Sequence, residues 1–336
     1  MQKDKYKRLD KQERESISRG LAQNRSMRDI ARELERSPST LAREIKRNKG
    51  RVNYRAFSAN QRAKTAAASR KKGKSKIAQG EQLRDYVLEK LQEKWSPKEI
   101  SERSKIDYPW NMAMHISHEA IYQYLYVLPR GELKQTLIKA LRQEHKYRRT
   151  RTAGKPEEQR GKIANMLSIE ERPEEVSDRT VPGHWEGDLI LGKYKQSALG
   201  TLVERTTRYL ILVPLGDQKD ALSVRQSYAE AFKRVPDELK KTLTYDQGKE
   251  MSQHEQFTID TGIQVFFAHP GSPWERGTNE NTNGLIRQYF PKGTDFTQVS
   301  DEEIREVQWS LNDRPRKVLN YNKPNEVFND LVALKV

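Results

Sequence analysis

Residues 184–192 read HWEGDLILG and residues 243–248 read LTYDQG. Asp188 lies at the start of one strand-like run and Asp246 just past another. A carboxylate at the end of a strand stands beside a rigid scaffold and faces solvent. That is a poor place for stability and a good one for holding a cation. Working outward, Ala198–Val203, Tyr209–Pro214 and Ile263–Phe267 are further short β-branched or apolar runs. Asp220–Arg234, Ser252–Thr261, Glu280–Tyr289 and Asp301–Leu311 have helical character. Three strands, a helix, a strand, a helix, a strand and then helices make a mixed α/β plan.

Upstream the texture is helical and basic. Asp10 with Glu13 has the form of a capping box, and Ser26 with Asp29 starts a second helix. Ser37 caps a third helix, with Pro38 at its first position. Ile30, Ala31 and Leu34, then a three-residue break, then Leu41 and Ile45 fit two helices crossing at a tight turn. Such a helix-turn-helix presents Ser39, Thr40 and Arg43 to base edges and Lys46 and Arg47 to phosphates. Its turn position, where glycine is expected, is Glu35. A plain three-helix bundle with a charged face is the alternative. Residues 56–80, rich in Arg, Lys and Ala, read as a basic linker with an Ala-rich part able to form helix. Residues 81–145 form a second helical, DNA-binding region in which Ser96, Pro97 and Glu99 repeat the cap-and-proline signature. Residues 146–180 are a second linker, and 181–336 the α/β domain with C-terminal helices.

The chain has 336 residues, 63 Lys and Arg against 47 Asp and Glu, and no cysteine. Disulfides, thiolate metal sites and cysteine nucleophiles are therefore excluded. Mean hydropathy is −0.98, and no apolar run reaches the roughly 18 residues of a membrane helix. Residues 1–180 carry 43 basic and 25 acidic side chains, whereas residues 181–336 carry 20 and 22. All the excess positive charge thus sits in the N-terminal half. That is the footprint of a polyanion-binding region, although positive charge also serves solubility.

The acidic half adds Glu280 to the two aspartates, within 275–290, ERGTNENTNGLIRQYF. Three carboxylates and no sulfur suit Mg²⁺ or Mn²⁺. Two such ions can activate an attacking oxygen and stabilise a leaving one in phosphoryl transfer. Arg287, seven residues after Glu280, shares its helix face and is placed to hold a phosphate. Glu186 competes with Asp188, because i and i+2 share a strand face. Asn279, Asn281 and Asn283 make a poor helix start, explained by nucleic-acid contact or by N-terminal capping. Trp274 suits stacking on a base or anchoring its loop, and Arg276 suits phosphate. His184 is a structural histidine or a partner of the metal site. Asn312, Arg314, Arg316 and Lys317 form a basic patch, phosphate-binding or solvated.

These residues carry a resemblance. Asp246 and Glu280 are separated by 33 residues. The stretches IARELERSPSTLAREIKRN, WSPKEI with HISHEAIYQYLY, GHWEGDLILG, TYDQGKE, HPGSPWERGTNENTNGLIRQYFPKGTDF and LNDRPRKVLNY run from about Leu9 to Phe328. The sequence resembles DDE transposases of the insertion-sequence-thirty family of bacterial mobile elements. The resemblance implies a ribonuclease-H-like catalytic core, a mixed five-stranded sheet with helices, preceded by all-α helix-turn-helix domains. It implies a catalytic set of Asp188, Asp246, Glu280 and Arg287, with two Mg²⁺ or Mn²⁺ ions held by the three carboxylates. Ser39, Thr40, Arg43, Lys46, Arg47, Trp274, Arg276 and Asn283 are the expected DNA contacts. The implied partners are double-stranded DNA, as terminal inverted repeats and target, and further copies of the chain in a homo-oligomer. No membrane is implied, and the setting is the bacterial cytoplasm and nucleoid. The alternative is a helix-turn-helix transcriptional regulator whose C-terminal domain has no chemistry.

Overall fold

Asp10 and Ser26 start the first two helices as the sequence requires. The computed structural model describes residues 8–71, 75–127, 135, 163–176 and 178–333. It divides into two units, Met1–Glu81 and Gln82–Val336. In the first, α1 (Lys11–Ala22) opens with the Asp10–Glu13 capping box, and α2 (Met27–Glu33) with Ser26 accepting from the Asp29 amide. Ser37 precedes α3 (Pro38–Arg47) but makes no side-chain cap. Its hydroxyl pairs with that of Ser39 at 2.8 Å instead, leaving Pro38 to start the helix through its fixed φ. Ile17, Leu21, Ile30, Ala31, Leu41 and Ile45 meet in one core.

The expected linker at 56–80 is corrected over most of its length. After α4 (Gly50–Asn53), α5 (Ala56–Lys71) packs on α1, with Ala56 and Ala59 buried. Alanine brings two helix backbones close and has the highest helix propensity, so this segment is part of the unit's core. The short α6 (Lys76–Gln79) follows.

The second unit begins with α7 (Glu81–Gln92), α8 (Pro97–Asp107) and α9 (His118–Val127). The Ser96–Glu99 capping box forms at α8 as read. Beyond residue 127 most of the expected second helical region and the linker segment up to 162 lie outside the described residues.

Among the described residues the sheet has six strands, not five: β1 (Leu167–Ser168), β2 (His184–Leu191), β3 (Ala198–Glu204), β4 (Leu210–Gly216), β5 (Thr242–Tyr245) and β6 (Gln264–Phe267). Their order is β1-β6-β5-β2-β3-β4. β2–β3 and β3–β4 are antiparallel, while β2–β5, β5–β6 and β1–β6 are parallel. The added strand β1 comes from the expected linker at 146–180. Two residues carry no readable alternation, so only pairing with β6 makes them a strand.

Alternation along the other strands builds two apolar layers. Trp185, Leu202, Val213, Leu243 and Tyr245 face α10 (Ala221–Phe232) and α11 (His254–Thr261), where Tyr228, Phe232 and Phe257 fill the core. Ile190, Leu199, Val203, Leu210 and Leu212 face α12 (Gly277–Ile286) and α13 (Asp301–Asp313). The last helix is α14 (Pro324–Ala333). Two strand glycines permit this packing. A Cβ on Gly187 would lie 2.8 Å from the Tyr245 ring, and one on Gly200 would lie 2.5 Å from that of Tyr228.

Candidate active site

Asp188 and Asp246 come from neighbouring parallel strands, and the fold brings them to one cation. The Arg276 guanidinium lies between them, with Nη1 3.4 Å from Asp188 Oδ1 and Nη2 3.3 Å from Asp246 Oδ2. Nη1 also donates to the Gly187 carbonyl at 3.0 Å. Asp188 Oδ1 accepts from the Leu189 amide at 3.0 Å, and the Tyr228 hydroxyl donates to the Asp188 carbonyl at 2.9 Å. The side chains stay reachable, 26% exposed for Asp188 and 41% for Asp246. Burial pushes the Asp188 carboxyl above the usual carboxylate range, opposed by Arg276 and reinforced by Asp246.

Glu186 is removed as a competitor. It is fully buried, 3.0 Å from Arg205 Nε, and accepts the Asn279 amide at 2.9 Å. A carboxylate sealed into a buried ion pair has no open position for a ligand. The same contacts explain the asparagines. Asn279 Nδ2 donates to the Glu186 carbonyl at 2.9 Å, and one turn later Asn283 Nδ2 donates to Asp188 Oδ2 at 2.8 Å. Their amides dock α12 onto β2, and Asn283, expected on DNA, holds the Asp188 carboxylate.

Glu280 is exposed on α12. It precedes Asn283 by three residues within the helix, while Arg276 is the non-helical residue just before α12. Among the described residues no three acidic or histidine side chains stand close enough together to hold a metal ion. The expected three-carboxylate cluster is thus a pair of aspartates bridged by arginine, with Glu280 apart from it. Arg287 also departs from expectation. Its guanidinium donates to the carbonyls of Leu191 at 2.8 Å, Pro291 at 3.3 Å and Phe290 at 3.4 Å. Those contacts tie the end of α12 to the end of β2. Arg276, assigned to phosphate from sequence, is the basic residue at the aspartates.

A helix-turn-helix domain model matches residues 5–48, and an integrase core domain model matches residues 178–273. The chain is 45% identical over 334 residues to the transposase for insertion sequence element IS1086 of Cupriavidus metallidurans, covering 99% of this chain and 97% of that relative. It is 45% identical over 324 residues to transposase InsI for insertion sequence element IS30A of Escherichia coli, covering 96% and 83%. The chain belongs to the IS30 family of insertion-sequence transposases. A third relative, the transposase for insertion sequence element IS4351 of Bacteroides fragilis, is 35% identical over 330 residues, 97% of each chain. Similarity along the whole length to transposases sets aside the reading as a regulator without chemistry.

In this transposase α3 stands out from its unit as expected. Ser39, Arg43, Lys46 and Arg47 are exposed and Thr40 is half-buried. Arg43 Nε donates to the Ser39 carbonyl at 3.1 Å and Arg47 Nε to the Arg43 carbonyl at 3.3 Å, so both side chains lie back along the helix. A cleft of about 430 Å³ lined by Arg8, Arg14, Thr40, Arg47 and Arg62 opens beside it. The helical spacing did not reveal Glu44. It is buried against Arg14 at 2.9 Å and accepts from Asn48 Nδ2 at 3.2 Å, fixing α3 to α1.

Elsewhere in the transposase, Asn312, Arg314 and Arg316 of the C-terminal basic patch are buried, and Lys317 is exposed. Arg314 is 1% exposed and 3.0 Å from Glu99 of α8, and Asn312 brackets Leu210 of β4 through its amide and carbonyl, both at 2.8 Å. Arg316 is buried and donates to the Leu311 carbonyl at 2.8 Å. His184 is buried between Thr242 Oγ1 at 2.9 Å and Glu175 at 3.2 Å, the structural option. Trp274 is 72% exposed on a turn two residues before Arg276. Among the described residues no helix is long and apolar enough to cross a membrane.

Proposed function

We propose that this transposase reads the terminal inverted repeats of its element through α3 and cuts and joins DNA at the Asp188–Asp246 site. Glu280 on α12 is the third carboxylate of this proposal, although it stands apart from the aspartate pair in this structure. The observation that carries the reading is the two strand-borne carboxylates sharing one positive charge. The Arg276 guanidinium is a stand-in that supports a fit between an all-oxygen donor set and a hard cation. Asp188, Asp246 and Glu280 would hold two Mg²⁺ or Mn²⁺ ions, which when bound activate the attacking oxygen and neutralise the leaving one.

The chain's own groups do the positioning. β2 and the Tyr228 hydroxyl fix the Asp188 backbone, and Asn283 orients its carboxylate. The Gly248 amide, 3.2 Å from Asp246 Oδ1, orients the second carboxylate. Trp274 is exposed two residues before Arg276, an aromatic face on which a splayed base would stack. Ser39, Thr40 and Arg43 are the base-reading set, with Lys46 and Arg47 on phosphate. Joining two ends requires at least two active sites, so the working form is a homo-oligomer on DNA.

Asp246→Asn is the test. With Mg²⁺ and a linear duplex carrying the element's end, the variant is expected to lose strand cleavage and keep its gel-shift. Retained cutting overturns the assignment.

A further inference from the structure

We infer that Arg276 is the resident counter-ion of the aspartate pair and that an entering divalent cation displaces it. The inference rests on the metal-binding reading of Asp188 and Asp246 above.

Arg276 contrasts with two other arginines that are bound to acids in this unit. Those two are tightly held: Arg103 contacts Glu326 at 2.5 and 2.6 Å and Asp107 at 2.7 Å, and Arg205 is 3.0 Å from the sealed Glu186. Arg276 is different. Its two carboxylate distances, 3.4 and 3.3 Å, exceed the roughly 2.7–2.9 Å of a good charge-assisted bond. Its one firm bond is to a neutral acceptor, the Gly187 carbonyl at 3.0 Å. One nitrogen faces each aspartate, so the fork splits between two acids and clamps neither. The side chain is 15% exposed, beside an Asp246 that is 41% exposed. It thus neutralises a half-open pair without locking it.

Two carboxylates brought together repel each other unless one takes up a proton or a positive charge stands between them. Arg276 supplies that charge from the residue just before α12, on a long side chain that can leave by rotation about its own bonds, with no change in the backbone. A divalent cation carries twice the charge and bonds oxygen directly, so it competes for the same place. The displaced guanidinium then remains beside the cut site with its planar fork free, the geometry that suits phosphate oxygens. Arg276 is in this sense a positioning residue that keeps the pair together until metal and DNA arrive.

The test is Mn²⁺ binding to the full chain without DNA, followed by the paramagnetic resonance of free Mn²⁺. Wild type is compared with Arg276→Gln, Arg276→Lys and Asp246→Asn. Gln keeps a donor for the Gly187 carbonyl and removes the charge. It is expected to tighten Mn²⁺ by about tenfold, or ~1.4 kcal/mol, and to lower the metal-free Tm, with Mn²⁺ restoring it. Lys keeps the charge and loses the fork, and is expected to fall between Gln and wild type. Circular dichroism checks that each variant is folded. If Arg276→Gln does not fold, the comparison of Arg276→Lys with wild type decides. Unchanged or weaker Mn²⁺ binding in the folded arginine variants overturns the inference alone. Binding that survives Asp246→Asn overturns the metal site itself, and the inference with it.

Discussion

Glu35 sits at φ +53° in the turn between α2 and α3, the position where the sequence made glycine the expected residue. The turn needs a left-handed backbone, and the chain supplies it with a residue that resists it. That conformation costs a side-chain-bearing residue roughly 1–2 kcal/mol, while glycine there loses about 0.5–1 kcal/mol of chain entropy. Glu35→Gly is therefore expected to stabilise the N-terminal unit by about 0.5–1 kcal/mol, measured by calorimetry. His269 is a second residue-scale case. Glu275 Oε1 lies 2.8 Å from its Nδ1, and Glu275 Oε2 accepts its amide at 2.8 Å, which closes the loop carrying Trp274 and Arg276. That hydrogen bond raises the His269 pKa above 6.5. A raised folded-state value means that the bond's contribution is fully present below the ordinary histidine range. It is lost as pH rises through the raised value. An NMR titration of the His269 ring is expected to have its midpoint above 6.5, and Glu275→Gln is expected to bring it back down. An unshifted midpoint in the wild type removes the loop clasp.

At the scale of elements, the site depends on how closely β2, β3 and β5 let helices and rings approach. Gly200 leaves room for Tyr228, whose hydroxyl holds the Asp188 carbonyl. Gly200→Ala puts a Cβ 2.5 Å from that ring and 3.1 Å from Val213 Cβ. Overpacking of this kind costs about 1–3 kcal/mol, seen as a lower urea midpoint. Strand cleavage is expected to fall with it, because Tyr228 must move away from Asp188. A variant as stable as wild type contradicts the packing account. Helix α12 shows the complementary case. Its asparagines weaken the helix locally, yet Asn279 and Asn283 bind β2 side by side one turn apart. Local propensity is overridden because amide groups at this interface satisfy the buried Glu186 and the half-buried Asp188.

Within the Gln82–Val336 unit, α8 is fastened to the C-terminal segment, and Lys94, just after α7, to the segment that follows α12. Arg314 meets Glu99, Arg103 meets Glu326, and Lys94 Nζ donates to the Gln288 carbonyl at 2.7 Å and lies over the Tyr289 ring. The capping glutamate of α8 thus serves twice, binding the Ser96 amide at 2.6 Å and the buried Arg314 guanidinium. Arg314→Ala leaves the partly buried Glu99 without its cation. Breaking such a pair costs about 3–5 kcal/mol when both groups are buried, and about 3 is expected here because Glu99 keeps its cap. Calorimetry should show this unit melting earlier while the Met1–Glu81 unit is unmoved. Equal melting in both forms argues that the helices are held by apolar packing alone.

Strand alternation, the caps at Asp10, Ser26 and Ser96, and the spacing of the two aspartates were legible because each depends on residues close in the chain. The element plan of the α/β region and the position of α3 follow from those short-range patterns. Arg276 at the aspartates, the burial of Glu186, Asn312, Arg314 and Arg316, and the two-residue strand β1 were not legible. Each depends on partners far away in sequence: Arg276 is 89 residues from Gly187, and Arg314 is 215 from Glu99. A charged side chain reads alike in sequence whether it meets solvent, a phosphate or a buried acid. Only the packed sheet and helices decide which, because burial sets the energy of leaving that charge unpaired.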